Sequence, residues 1–183
     1  MTLNLGKTIY AFSDTHDNHR MLQVPENVDI LICAGDAVED DLKGGKYDDF
    51  IEWFSSQSAK WKIFVPGNHE LSFDLGQADE IIRQMNDNGI IALEDAIEDC
   101  YGVVIASIGA NSKIEDADIP TGIDILVTHQ PPYGILDDDM GSLEILNFAL
   151  KSKPKYHLFG HIHSTAGQSL RQRYTEFVNV STL

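Results

Sequence analysis

The chain has 183 residues, with 29 acidic against 13 basic side chains and a formal net charge of −16, which argues against a basic nucleic-acid footprint and against attraction to an anionic membrane surface. No Gly/Ser-rich or Pro-rich linker divides it, so one α/β domain spanning residues 1–183, with a sizeable core, is expected. Cys33 and Cys100 each lie in an apolar stretch and read as buried thiols; with no basic segment leading into a long apolar one at the amino terminus, the expected location is the cytoplasm and no membrane span is expected.

In chain order, the apolar runs are short and stop at polar residues. Thr8 to Phe12 ends in Ser13, Asp14, Thr15 and His16, so a first strand delivers a carboxylate and an imidazole two residues apart. A polar loop, Asp17 to Arg20, follows. His19 within it reads either as a substrate or outer contact of a site or as an exposed loop histidine. The run Ile30 to Ala34 has no polar alternation, as in a strand buried on both faces, and Gly35 frees the backbone to turn where Asp36 emerges. Ligands of open α/β sheets collect beyond the carboxyl ends of such strands. Tyr47 to Ser58 carries Tyr47, Phe50, Ile51 and Phe54 at helical spacing and predicts an amphipathic helix whose aromatics are core.

Trp61 to Val65 ends in Pro66, Gly67, Asn68, His69 and Glu70. A helix is predicted from Gln77 to Asn88, with Ile81, Ile82 and Met85 inward and Gly89 as its cap, then strands at Ile90 to Leu93 and Tyr101 to Ile108. The polar segment Gly109 to Pro120 is the expected seat of substrate preference. Ile123 to Val127 ends in Thr128 and His129, and Pro131, Pro132 and Gly134 stiffen the loop behind that imidazole. Ser142 to Lys151 predicts the last helix, with Leu143, Leu146 and Leu150 inward; Tyr156 to Phe159 then ends in Gly160, His161, Ile162 and His163, and Phe177 to Val180 is the final strand. The acidic clusters, Glu94 to Asp99, Glu115 to Asp118 and Asp137 to Asp139 among them, read as solvated faces, Glu39 excepted.

Five of the seven histidines sit at these strand ends. The set Asp14, His16, Asp36, Asn68, His129, His161 and His163 offers only oxygen and nitrogen donors, which suits Mn, Fe, Zn or Ni rather than a structural cysteine-closed zinc site. So many donors exceed the needs of one tetrahedral ion and match two ions sharing a bridge, a part that a carboxylate such as Asp36 can take.

The linked motifs DTH (Asp14 to His16), GD (Gly35 and Asp36), GNHE (Gly67 to Glu70), the single His129 and GHIH (Gly160 to His163) resemble those of the calcineurin-like metallophosphoesterases, in that family's order and over nearly the whole chain. Val127 to Asp137 (VTHQPPYGILD) further resembles the small phosphodiesterase-like branch. The resemblance implies a four-layer αββα sandwich of two mixed sheets flanked by helices. It implies two divalent or trivalent ions, Mn foremost, one held by Asp14, His16, Asp36 and His163 and the other by Asp36, Asn68, His129 and His161. The implied function is hydrolysis of a small phosphate ester, a phosphodiester in preference to a monoester, by a metal-bridging hydroxide, with Asn68 and His69 on the substrate and His69 serving the leaving oxygen. Glu39 stands where relatives have an aspartate that orients this histidine, so it is either an acceptor for His69 or a surface acid. Two other functions remain open at this level: a phosphomonoesterase or phosphoprotein phosphatase, and a non-catalytic protein-binding module on the same fold.

Overall fold

A computed structural model of the chain describes residues 2–39, 41, 47–109 and 120–182. Its first sheet runs β1 (Thr2–Asn4), β2 (Thr8–Phe12), β3 (Ile30–Cys33), β4 (Trp61–Phe64), β5 (Ile90–Ala92) in spatial order, with β1 antiparallel and the rest parallel. Its second sheet is formed by β6 (Ile97–Asp99), β7 (Val104–Ile108), β8 (Ile125–Thr128), β9 (Tyr156–Phe159), β10 (Ser169–Gln172) and β11 (Thr175–Asn179), in the order β10-β11-β9-β8-β7-β6. The inner four of these are parallel, and β6 and β10 close the edges as antiparallel hairpin arms. The helices are α1 (Tyr47–Ser56), α2 (Leu71–Asp74), α3 (Asp79–Asp87) and α4 (Leu143–Ser152).

Strand alternation builds the four layers expected from sequence. Ile9, Ala11, Ile30, Ile32 and Ile63 from the first sheet meet Ile105, Ile125, Val127, Leu158 and Val178 from the second in one buried cluster, so small branched side chains fill the gap between sheets. The intervening residues point outward and are bulkier. Phe12, Leu31 and Phe64 pack on Phe50 and Phe54 of α1 and Met85 of α3, and Leu126, Phe159 and Phe177 pack on Phe148 and Ala149 of α4. Each such burial contributes about 1.5–3 kcal/mol relative to exposure. Among the described residues no helix is long and apolar enough to cross a membrane, and both cysteines are free and buried.

Several elements differ from expectation for local reasons. The strand predicted from Tyr101 begins at Val104, because Tyr101 (φ 54°) and Gly102 (φ 83°) turn the chain between β6 and β7; the acidic stretch before it hid β6. The predicted helix over Gln77 to Asn88 is shortened to α3, and α2 precedes it. The strand expected from Ile123 starts two residues later. In α4 the inward face is Ile145, Phe148, Ala149 and Ser152, whereas Leu143 and Leu150 are exposed at 59% and 51%. The helix is apolar on two faces, and spacing alone does not choose between them. Asp137 is buried, not solvated: its Oδ2 accepts the Gly134 and Gly141 N–H groups and so shapes the loop behind β8. Most of the segment from Gly109 to Pro120 lies outside the described residues, as do Glu115 to Asp118.

On β9, His157 faces outward beneath α4, fully buried, its ring against Phe159 and Phe177. Thr128 Oγ1 donates to the Gln130 carbonyl, so His157 Nε2–H donates to Thr128 Oγ1 at 2.9 Å and Nδ1 is left without a partner. Burial pushes the imidazole down to about 3. The folded chain thus keeps His157 neutral while the unfolded chain protonates it below about 6.5, so stability falls with pH through that window by up to about 1.4 kcal/mol per unit. His157→Gln retains a donor for Thr128 and removes the titration. Urea midpoints of the two proteins should therefore converge as the pH drops from 7 to 5; parallel curves would show that His157 does not contribute.

Candidate metal centre

All the expected donors lie past the carboxyl ends of the strands, where the chain must bend sharply. Asp14, His16, Asp36 and His161 have left-handed backbones, with φ of 57°, 41°, 53° and 68°. Such conformations cost energy in non-glycine residues and concentrate at sites that need them. The turns are packed so tightly that a Cβ on Gly35 would stand 2.7 Å from the Gly67 backbone and from His129 Nδ1. Glycine is required at this crossing.

The structure brings six of the seven donors into two groups whose ligand atoms lie within 4.8 Å of one another: Asp14, His16 and His163, and Asp36, His129 and His161. Asp36 Oδ2 stands between the groups, 3.1 Å from His129 Nε2 and 3.9 Å from His16 Nε2. Asp14 Oδ1 is 3.4 Å from His163 Nε2 and 3.9 Å from His129 Nε2. Asn68, the remaining donor, lines the same cleft of about 570 Å³ with His16, Asp36, Glu39, His69, His161 and His163.

His129 tests whether a cation belongs here. Its Nδ1 donates to the Ala34 carbonyl at 2.8 Å, which directs the lone pair of Nε2 into the cluster. That atom is buried and has no hydrogen-bond partner, yet faces two carboxylates. A lone pair opposed to carboxylate oxygens in a buried site needs a positive charge between them. Without a metal only a proton can serve. Burial opposes the imidazolium, but Asp36 and then Asp14 outweigh it and hold His129 above its ordinary value. The donor set and this geometry fit a divalent cation, with the backbone carbonyl behind the ring fixing its tautomer, as metal-binding histidines require.

Glu70 received no role from sequence beyond its place in GNHE, and it anchors the site. It is fully buried, and its carboxylate accepts the N–H groups of Gly67 (2.6 Å), Asp36 (2.8 Å), Ala37 (2.9 Å) and Val38 (3.3 Å). One side chain thereby ties the loop after β3 to the loop after β4. Burial and the nearby Asp36 push its carboxyl up to about 7, while these N–H groups pull it down. The available signal was an acid wedged between a strand-end turn and an apolar helix.

Two expectations are corrected. His19 is neither a contact of the cleft nor exposed: it is buried, its Nε2 is 2.9 Å from Asp49 Oδ2, and its ring packs on Phe50 and Trp53 of α1. Its polar neighbours in sequence concealed an aromatic pocket supplied by the next helix. Glu39 does not use its carboxylate to hold His69. Its backbone carbonyl takes His69 Nδ1, while Oε2 turns back to within 3.0 Å of His16 Nδ1. The extra methylene over aspartate gives the reach for that.

Residues 7–165 match a family model described as calcineurin-like phosphoesterase. The human Metallophosphoesterase domain-containing protein 1 is 29% identical over 211 residues, covering 92% of this chain and 64% of that protein. The chain therefore spans less than two thirds of the human relative. A UPF0046 protein of Caenorhabditis elegans is 30% identical over 209 residues, covering 93% of this chain and 73% of its own length. In fold, the chain resembles the crystal structure of Phosphopantetheinyl Hydrolase (PptH) from Mycobacterium tuberculosis, with a TM-score of 0.62 at 15% identity over 95% of this chain and 88% of that one.

Glu70→Gln turns an amide NH₂ toward one of the two N–H pairs that the carboxylate accepts, Asp36 and Gly67 at Oε2 or Ala37 and Val38 at Oε1. It should cost about 2–4 kcal/mol of stability, since buried donors left unsatisfied cost about 1–3 kcal/mol each. It should also weaken metal binding at least tenfold, read by competition with a chelator. Unaltered metal affinity would show that the two loops hold their positions without this anchor.

Proposed function

From the premise that the chain belongs to the calcineurin-like phosphoesterase family, we propose that it is a metal-dependent phosphoester hydrolase with a two-metal centre and a preference for phosphodiesters. The observation that carries this reading is the buried Nε2 of His129 facing Asp36 and Asp14 at the junction of the two donor groups. Asp14, His16, Asp36 and His163 would hold one ion and Asp36, Asn68, His129 and His161 the other, Mn being the first to try among Mn, Fe, Zn and Ni. When bound, the ions would lower the pKa of water and offset the charge of the phosphate.

The chain's own residues supply position and protons. His69 is fixed through Nδ1 on the Glu39 carbonyl, which leaves Nε2 toward the cleft, 3.9 Å from Asp36 Oδ2. Burial disfavours its protonation, but the Glu39 carbonyl and Asp36 prevail and raise it above its ordinary value, so it can protonate a leaving oxygen near neutral pH. Asn68, beside it on the rim, offers an amide to a phosphate oxygen.

Charge supports the diester preference. Among the described residues, those lining the cleft include Asp36 and Glu39 but no lysine or arginine. A phosphomonoester brings a second negative charge that finds no ammonium or guanidinium there, whereas a diester carries one charge only.

Metal-reloaded protein should hydrolyse bis(p-nitrophenyl) phosphate with a kcat/KM at least tenfold above that for p-nitrophenyl phosphate. Asp36→Asn should abolish turnover and weaken metal binding. His69→Gln should lower kcat about 10²–10⁴-fold while leaving metal affinity within threefold. A reversed substrate ratio would assign a phosphomonoesterase or phosphoprotein phosphatase. Bound metal with no turnover on either ester would favour a binding module.

A further inference from the structure

The chain is strongly acidic, yet residues 151–173 carry Lys151, Lys153, Lys155, Arg171 and Arg173, five of its thirteen cations, and no acid. Two of them flank a cavity of about 340 Å³ between the last turn of α4 and the turn joining β10 to β11. Its wall is apolar, from Ala149, Leu150 and Phe177, and the ring of Tyr174 lies beside it. The cavity lies at the amino-terminal edge of β11, and the metal centre is at the opposite edge, beyond the carboxyl end of the parallel β9.

The cations of this cavity are not committed elsewhere. Lys155 pairs with Asp124 at 2.6 Å and Arg171 with Glu176 at 3.4 Å, but among the described residues no carboxylate pairs with Lys153 or Arg173. Lys153 Nζ sits over the Tyr174 ring, 5.6 Å from its centroid. A cation at the end of α4 answers the helix dipole, which accounts for Lys151 and Lys153 but not for Arg173 across the cleft. Both Lys153 (φ 52°) and Arg173 (φ 47°) occupy left-handed positions, where glycine costs nothing. The two lie at the end of α4 and in the β10–β11 turn, and both line the one apolar cavity.

We infer that this cavity is a binding site for a small aromatic phosphate, its ring against Leu150, Phe177 and Tyr174 and its phosphate between Lys153 and Arg173. The volume falls within the about 300–1,000 Å³ of small-molecule pockets. A guanidinium and an ammonium together match a dianionic head, and the apolar wall distinguishes an aromatic ligand from inorganic phosphate. Its distance from the donor cluster makes the ligand an effector or a carried molecule and not the ester being cleaved.

The probe is phenylphosphonate, which cannot be hydrolysed, titrated into the zinc-loaded 183-residue chain while backbone amide resonances are followed. Saturable shifts are expected at Lys153, Tyr174 and Thr175, with methylphosphonate and inorganic phosphate binding at least tenfold more weakly. Lys153→Gly and Arg173→Gly suit the left-handed backbone, so each should melt no lower than the parent, keep phosphodiesterase turnover, and lose binding at least tenfold. Absence of saturable shifts at these residues would overturn the site. So would undiminished binding by either variant, and binding of inorganic phosphate equal to that of phenylphosphonate would overturn the aromatic assignment.

Discussion

Two carboxylates, Asp14 and Asp36, are buried where the sheets meet, at 0% and 2% exposure, and the surrounding structure answers their charge. An unpaired buried carboxylate costs several kcal/mol, so each must find donors or a cation. Asp14 accepts the hydroxyl of Ser13 and the N–H of His161, and Asp36 accepts the N–H of His69. The oxygens left over face imidazole nitrogens. Histidine is the side chain that can meet a carboxylate either as a cation or, once a metal intervenes, as a neutral ligand. The left-handed turns, the glycine crossing and the buried Glu70 hold these groups together despite their mutual repulsion.

The strand ends were legible because two signals coincide there: a short, mostly apolar run and an abrupt change to polar residues at a glycine, serine or threonine. Asp14, His16, Asp36, His129, His161 and His163 lie together for that reason. What the sequence concealed depends on partners far along the chain. His19 is buried by Phe50 and Trp53, some thirty residues later. The face of α4 is chosen by which residues the second sheet offers, since Leu143 and Leu150 look as apolar as Ile145 and Phe148. The anchoring by Glu70 is a matter of backbone N–H groups, which leave no mark in side-chain chemistry.

Charge is divided between the two edges of the fold. Among the described residues, the edge bearing the strand carboxyl ends gathers acids and imidazoles without lysine or arginine at the cleft, and Lys153 and Arg173 line the cavity at the opposite edge. Within the formal charge of −16, the described residues thus set a cluster suited to a cation at one edge and two cationic side chains at the other.

The seam that carries the donors also joins the sheets by hydrogen bonds. Ser13 N–H donates to the Val180 carbonyl at 3.1 Å, Thr182 Oγ1 donates to the Ser13 carbonyl at 2.7 Å, and His129 Nδ1 reaches Ala34 across the gap. His161 and Asp14, which meet there, are 147 residues apart in sequence. Contacts of such separation form late in folding, after the loop entropy between them has been overcome. During synthesis, then, a chain with only its first sheet emerged holds Asp14, His16, Asp36 and Asn68 at neighbouring strand ends but lacks His129, His161 and His163, and the donor set is completed only when the second sheet docks. Completion of the donor set thus coincides with completion of the fold, because each of the two groups draws on both sheets.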